Sequence, residues 1–414
     1  MTPEVKERIE QLRHGIVPEG YMRTKAGIYP EDWTEYTLGD IYTERKEPGN
    51  ESLPLLMVSI HSGVSDGEVD EADLPKKVKR IEDKSQYKRA ATGDLVFNMM
   101  RAWQGAIGTV RTEGMVSPAY IVAEPNKLVD PLFMDYLMRT PRMVGAIHKQ
   151  SYGVTDFRLR LYWDSFAPIH CVLPSVPEQE KIGEAVDIQN KIIDLKEKLL
   201  AEKQRQKKYL MQQLLTDRMR LPGFDGEWMY VRANQIFRNV TDKKHNGTLE
   251  VLSATQDRGI IPRSLVDIDI KYAVESLTGY KKVAKGNFVI SLRSFQGGIE
   301  YSEYSGIVSP AYTVLSSIYP IEDNYYKQFF KSTDYINRLN IAVYGIRDGK
   351  QISYNDFGRI RIPYPPLDEQ KAIAAVLETA DKEIEILKRN IEQEKQKKKA
   401  LMQLLLTGIV RVNK

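Results

Sequence analysis

The feature that most constrains this chain is that it is written twice. The segment Gly114-Met-Val-Ser-Pro-Ala-Tyr-Ile-Val122 returns as Gly306-Ile-Val-Ser-Pro-Ala-Tyr-Thr-Val314. Upstream of it, Arg101-Ala-Trp-Gln-Gly105 returns as Arg293-Ser-Phe-Gln-Gly297, and Tyr87-Lys88 as Tyr280-Lys281. Downstream, Leu173-Pro-Ser-Val-Pro-Glu-Gln179 returns as Tyr364-Pro-Pro-Leu-Asp-Glu-Gln370, and Lys207-Lys-Tyr-Leu-Met-Gln212 as Lys398-Lys-Ala-Leu-Met-Gln403. The order is kept and the offset drifts only slightly, so one structural unit is duplicated in tandem.

Each copy divides into a globular domain (20–176 and 217–365) and a long helix (177–216 and 366–414), with 1–19 as an N-terminal arm, helical over 7–12. Short β-type runs at 94–99, 108–111, 287–292 and 307–315, punctuated by Gly, Pro and Asp, precede aromatic helical stretches at 131–148 and 324–344. The expected class is α+β, with two strand-rich mixed domains. Each long helix starts after a proline cluster with Glu-Gln in its first turn, and about 40 residues give roughly 60 Å. In the second, Ile373, Leu377, Ala380, Ile384, Leu387, Ile391, Leu401 and Leu405 form a coiled-coil seam interrupted at Glu394 and Lys398. In the first, Ile182, Val186, Ile193, Leu200, Leu210 and Leu214 carry it, with Gln189, Lys196, Lys203 and Lys207 in register. A further stripe, Ile188, Ile192, Leu195 and Leu199, widens the apolar face enough for more than one partner. The second domain lies between the end of one helix and the start of the other, so paired helices must run antiparallel. The expected object is two domains held apart by a helical rod with a pseudo-two-fold axis, the N-terminal arm meeting the end of the second helix.

No run approaches the ~18 apolar residues of a membrane helix, and residues 1–15 lack the apolar core of a secretory signal. The single cysteine, Cys171, excludes a disulfide framework and a cysteine zinc site; these points favour the cytoplasm. A net charge of +4 is compatible with nucleic-acid binding, but the site must come from local clustering.

The search for catalytic chemistry finds no P-loop, no His-Glu-x-x-His and no Gly-x-Ser-x-Gly. The five histidines (His14, His61, His148, His170 and His245) do not match between copies, as a duplicated metal site would. Ser117-Pro-Ala-Tyr120 and Ser309-Pro-Ala-Tyr312 approach the base-holding motif of amino-methyltransferases, but the second proline is alanine and no Phe-x-Gly-x-Gly cofactor loop is present. Both are read as strand-entry turns. The best ligand contacts are Arg101, Trp103 and Gln104 with Arg293, Phe295 and Gln296. Arginine and glutamine form paired hydrogen bonds with guanine and adenine, and an aromatic can stack or wedge; the competing reading is a strand cap with a core aromatic. Lys76, Lys77, Lys79 and Arg80, Lys243 and Lys244, and Arg347 and Lys350 are phosphate candidates, against a solvated surface. The repeated basic runs 203–208 and 395–399 suit an acidic partner surface, DNA, or solvent equally.

Pro366-Leu-Asp-Glu-Gln370 opening a helix that ends Leu401-Met-Gln-Leu-Leu-Leu-Thr-Gly408 resembles the specificity subunits of type I restriction-modification systems. So do Leu210-Met-Gln-Gln-Leu-Leu-Thr216 running into Arg220-Leu-Pro-Gly-Phe-Asp-Gly-Glu-Trp228, and the Gly-Ile-Val-Ser-Pro-Ala-Tyr segment. The resemblance implies that each domain is a target recognition domain reading one half of a split double-stranded DNA sequence, and that the helices set the gap. It also implies that two modification subunits dock on the chain, Ile182, Val186, Ile193, Leu200, Ile373, Leu377, Ile384, Leu387 and Ile391 being the spacer and docking candidates. These partners methylate adenine with S-adenosylmethionine, and restriction subunits complete the nuclease. The chain itself would hold no cofactor and no catalytic residue. Two readers on one face of a duplex would contact sites about one helical turn apart, roughly 34–36 Å. Competing readings are a recognition subunit of a related methylation-based defence system, a coiled-coil scaffold that touches no DNA, and a self-contained adenine methyltransferase.

Overall fold

The computed structural model describes residues 2–50, 52–65, 86–153, 155, 158–266, 274–342 and 352–412. The chain forms two units, Met1–Lys196 with Ile391–Lys414, and Glu197–Asn390.

The first unit is built on a four-stranded antiparallel sheet in the order Tyr42–Arg45, Tyr120–Pro125, Leu95–Asn98, Ile107–Thr109. Alternation along Leu95–Asn98 sends Leu95 and Phe97 into the core shared with the helices, and Val96 into a smaller core with Val110, Val116 and Val122. Both faces are therefore covered, which is why Leu95, Val96 and Phe97 are all fully buried. Pairs Lys88–Ala90 with Gly114–Val116 and Thr34–Thr37 with His170–Leu173 flank the sheet. Helices Pro131–Met138 and Pro141–Gln150 follow, each with an N-cap side chain (Asp130, Thr140) and proline in the first turn. The aromatic stretch expected as one helix is thus two, because Thr140-Pro141 starts a new one.

The second unit repeats this plan. Its sheet order is Phe237–Val240, Thr313–Ser317, Phe288–Ile290, Glu300–Tyr301, and Phe288 and Ile290 again face the larger core while Val289 faces the smaller. Lys281–Val283 pairs with Gly306–Val308, and Met229–Arg232 with Arg361–Tyr364. The run expected as a single strand at 307–315 is split between two sheets by the turn at Ser309-Pro-Ala-Tyr312. Among the described residues, the hairpin Tyr21–Thr24 with Gly27–Pro30 has no counterpart in the second unit.

The long helices are Val176–Leu214 and Leu367–Leu405. Within each unit they pair antiparallel. In the second unit Lys203 binds Glu383 and Lys207 binds Asp381, 2.7 and 2.6 Å apart. In the first, Gln189 and Lys196 both reach Glu394 (2.7 and 2.8 Å) and Lys398 reaches Asn190. The seam interruptions are therefore cross-helix polar pairs. The Lys196 ammonium, with the Gln189 amide, holds the Glu394 carboxyl down at about 2. The N-terminal helix Pro3–Arg13 meets the chain end as expected: Arg8 donates to the Ile409 carbonyl and Tyr21 to that of Gly408. No described helix is long and apolar enough to cross a membrane.

Candidate nucleic-acid interface

The Glu-Gln pair at each helix start anchors the frame. Gln179 accepts from the Asp130 amide and donates to the Leu128 and Pro174 carbonyls; Gln370 accepts from Glu322 and donates to Pro365. The neighbouring glutamates are clamped by arginines from the chain that follows the opposite helix. Arg220 binds Glu369 through Nε and Nη2 (2.6 and 2.8 Å), stacks over Trp228, and Trp228 Nε1 donates to the same carboxylate. Arg411 binds Glu178 the same way, stacks over Trp33 and also takes Asp32. Asp217 and Gly408, the paired residues before these arginines, both hold a left-handed φ, 60° and 69°.

The Ser-Pro-Ala-Tyr segments are turns. Tyr120 donates to the Ser117 carbonyl and Tyr312 to that of Ser309, while each serine Oγ accepts from the alanine amide. Lys88 and Lys281 each lock the turn by donating to the tyrosine carbonyl, 2.7 and 2.6 Å; burial pushes both ammonium groups down.

Beside each turn is the repeated arginine motif. In the first unit a 3-10 turn, Ala102–Gln104, joins Leu95–Asn98 to Ile107–Thr109, and Gly105 closes it at φ 101°. Trp103 Nε1 donates to the Met100 carbonyl and its ring lies 5.7 Å from that of His148. In the second, Ser294–Gly297 makes the same link and Phe295 packs on the core. The pattern is identical in both units: arginine and glutamine exposed, the small residue between buried, the aromatic half-buried. Neither Arg101 nor Arg293 has a side-chain partner among the described residues. Each is close enough to the turn tyrosine to oppose the burial that raises its hydroxyl. The aromatic is thus an anchor that holds two free hydrogen-bonding side chains outward.

Arg101, Trp103 and Gln104 share a concavity of about 530 Å³ with Met100, Arg158, Leu159 and Arg160. The loop carrying these arginines is pinched by paired backbone bonds between Tyr152 and Arg160, and Leu161 binds the Met99 carbonyl at the turn itself. Arg158 and Arg160 escaped the sequence reading. The signal was there: Tyr152-Gly-Val-Thr-Asp156 matches Tyr344-Gly-Ile-Arg-Asp348, the segment that contains the candidate Arg347 and precedes Lys350. Those two, with Lys76, Lys77, Lys79 and Arg80, lie outside the described residues. Lys243 and Lys244 are exposed on a loop shaped by Asp242, which accepts from the Lys244 amide; the Lys243 charge adds to the burial that lowers Lys281.

The docking candidates need correction. Ile182, Val186, Ile193, Ile373, Leu377, Ile384 and Ile391 are buried inside their own units, and Ile182, Val186, Ile373 and Leu377 belong to the domain cores. Leu200 and Leu387 are half-buried. The seven buried residues hold the fold, which suits the spacer role and leaves them no face for a second subunit, while Leu200 and Leu387 stay partly open. The outward apolar residues are Ile188, Leu195, Leu199 and Ile386, each about half exposed or more.

Among the described residues no cluster of histidine, cysteine and carboxylate could hold a metal. His245 spends its ring nitrogens on the Tyr280 carbonyl and the Gly247 amide. Burial pushes the Cys171 thiol up to about 12, far from the thiolate that nucleophilic chemistry needs.

Residues 226–395 match the model of the type I restriction modification DNA specificity domain. A Methanocaldococcus jannaschii protein provisionally named as the MjaX specificity subunit of a type I restriction enzyme is 24% identical over 95% of this chain and 97% of its own length. The EcoBI type I specificity subunit of Escherichia coli is 29% identical over 39% of this chain and 35% of its own. Among solved structures, the HsdS subunit from Thermoanaerobacter tengcongensis superposes with a TM-score of 0.51 at 18% identity, covering 94% of this chain and all of its own. A chain from a study of type I R-M complex assembly gives 0.55 at 19%, with 92% and 99% covered. The duplicated frame and the paired long helices agree with these matches: residues 226–395 carry the type I restriction modification DNA specificity domain, and over nearly its whole length the chain is similar to type I specificity subunits.

Proposed function

We propose that this chain is the DNA-reading subunit of a type I restriction-modification complex, each unit reading one half of a bipartite, asymmetric target. The observation that carries the reading is the repeated turn, with an exposed arginine and glutamine, without side-chain partners among the described residues, held outward by an anchored aromatic at the same place in both units. In the first unit Arg158 and Arg160 line the same concavity, as phosphate contacts beside a DNA-facing turn would. Because Arg101 and Arg293 occupy equivalent positions, they serve shared contacts, while the unmatched loops around them set which bases are read. Ile188 and Leu195, exposed on the first unit's stretch of the long helix, form the docking face for methyltransferase partners, which would bring S-adenosylmethionine and the chemistry. The chain contributes recognition and no catalytic group.

The test is salt-dependent DNA binding by the purified chain. Each phosphate contact should add about −0.9 to the slope of log affinity against log salt. Replacing Arg158 and Arg160 together with alanine should flatten the slope by about 2, while calorimetry detects no binding of S-adenosylmethionine. A flat salt response in the wild type would favour a protein scaffold instead.

A further inference from the structure

The first unit holds a second concavity, remote in sequence from the turn and made of different chemistry. Its volume is about 580 Å³, within the range of small-molecule sites. Its floor is Tyr29, Leu137, Met402 and Leu406, and its rim carries Arg142, Lys395, Lys398 and Lys399. Among the described residues no carboxylate lines it. The helix Pro141–Gln150 begins at this rim, adding the positive end of its dipole.

Duplication does not account for this site. In the second unit, the buried Phe329 stands where the first has Leu137, and Asp334 where it has Arg142, so the floor residue is larger and a cation is replaced by a carboxylate. Tyr29 comes from the hairpin Tyr21–Pro30, which has no counterpart among the described residues of the second unit; its ring is covered by Arg142, 5.0 Å away. The surrounding frame is shared between units, whereas the features that make a cationic, apolar-floored pocket occur once.

We infer that this pocket binds a small amphiphilic anion, an aromatic or acyl body seated on Tyr29, Leu137, Met402 and Leu406 with its charged group between Arg142 and Lys399. An apolar body alone would need no cationic rim, and an inorganic anion would gain nothing from the floor. The site bridges the end of the second long helix and the first domain, so occupancy would stiffen their contact.

The probe is anilinonaphthalene sulfonate titrated into the full chain, with its uncharged analogue phenylnaphthylamine as comparison. The expected result is saturable binding at one site, at least about tenfold tighter than the analogue. Lys399→Glu, an exposed substitution, and Met402→Trp, which fills the floor, should each weaken it by about tenfold or more with the circular dichroism melt unchanged for Lys399→Glu. Equal affinity for the uncharged analogue would overturn the anion assignment. Non-saturable binding, or binding indifferent to both substitutions, would overturn the site. Neither result bears on DNA recognition, which is measured separately.

Discussion

Replacing Arg220 with alanine leaves the Glu369 carboxylate, which is 0% exposed, with Trp228 Nε1 as its remaining side-chain donor. Removing one partner of a buried ion pair costs about 3–5 kcal/mol, because the other charge stays buried. Arg220 is itself 21% exposed, so water can partly replace it, and about 2–3 kcal/mol is the working figure. Hydrogen exchange followed by mass spectrometry is the suitable assay, since a two-unit chain need not melt in one step. Peptides covering 226–232 and 361–372 should exchange roughly 30- to 150-fold faster in the variant, while peptides from 86–150 are unaffected. Arg411→Ala should cost less, because Asp32 is half exposed and Glu178 is not fully enclosed. Replacing the pair together, Arg220→Met with Glu369→Leu, should recover most of the loss. Exchange within twofold of wild type in Arg220→Ala would refute the claim that this clamp closes the second unit.

Three further outcomes follow from the same geometry. Glu394 has its carboxyl lowered in the folded state, so its contribution is complete above the ordinary value near 4.3 and is lost as pH falls from there through about 2; the melting difference between wild type and Glu394→Gln should shrink across that window. Asp217→Gly should stabilise the second unit by about 0.5–1 kcal/mol, as glycine tolerates the left-handed φ. Gly408→Ala should destabilise the first unit, because its Cβ would sit 2.5 Å from Pro30 Cγ; urea titration reads both. Ile188→Glu with Leu195→Glu should abolish co-purification of the modification subunits without changing the isolated chain's melt, and retained co-purification would move the docking face elsewhere.

What could be read from the residues divides along physical lines. The duplication, the antiparallel pairing of the helices and the meeting of the chain ends followed from repeat order and connectivity, which need no side-chain detail. The outward Arg-x-aromatic-Gln turn was visible because both copies keep it. Seam residues such as Ile182 and Leu377 were misassigned to docking because helical periodicity says which positions are apolar, not which neighbour covers them. The same limit hid Arg220 and Arg411, whose glutamate partners are remote in sequence and join only when the chain following one helix reaches the start of the other. Arg158 and Arg160 were missed because their loop is matched by a short Tyr-Gly and Asp signature alone, with divergent residues between.

The central claim is that each unit reads one half of a divided target. Its most direct measurement is the methylome of cells expressing this chain with its modification subunits, compared with Arg101→Ala and Arg293→Ala. The wild type should yield a single bipartite asymmetric adenine motif with an unspecified gap, and each variant should lower or relax methylation through one half-site while leaving preference in the other half intact. A continuous motif, no motif, or two variants that degrade both halves alike would contradict it.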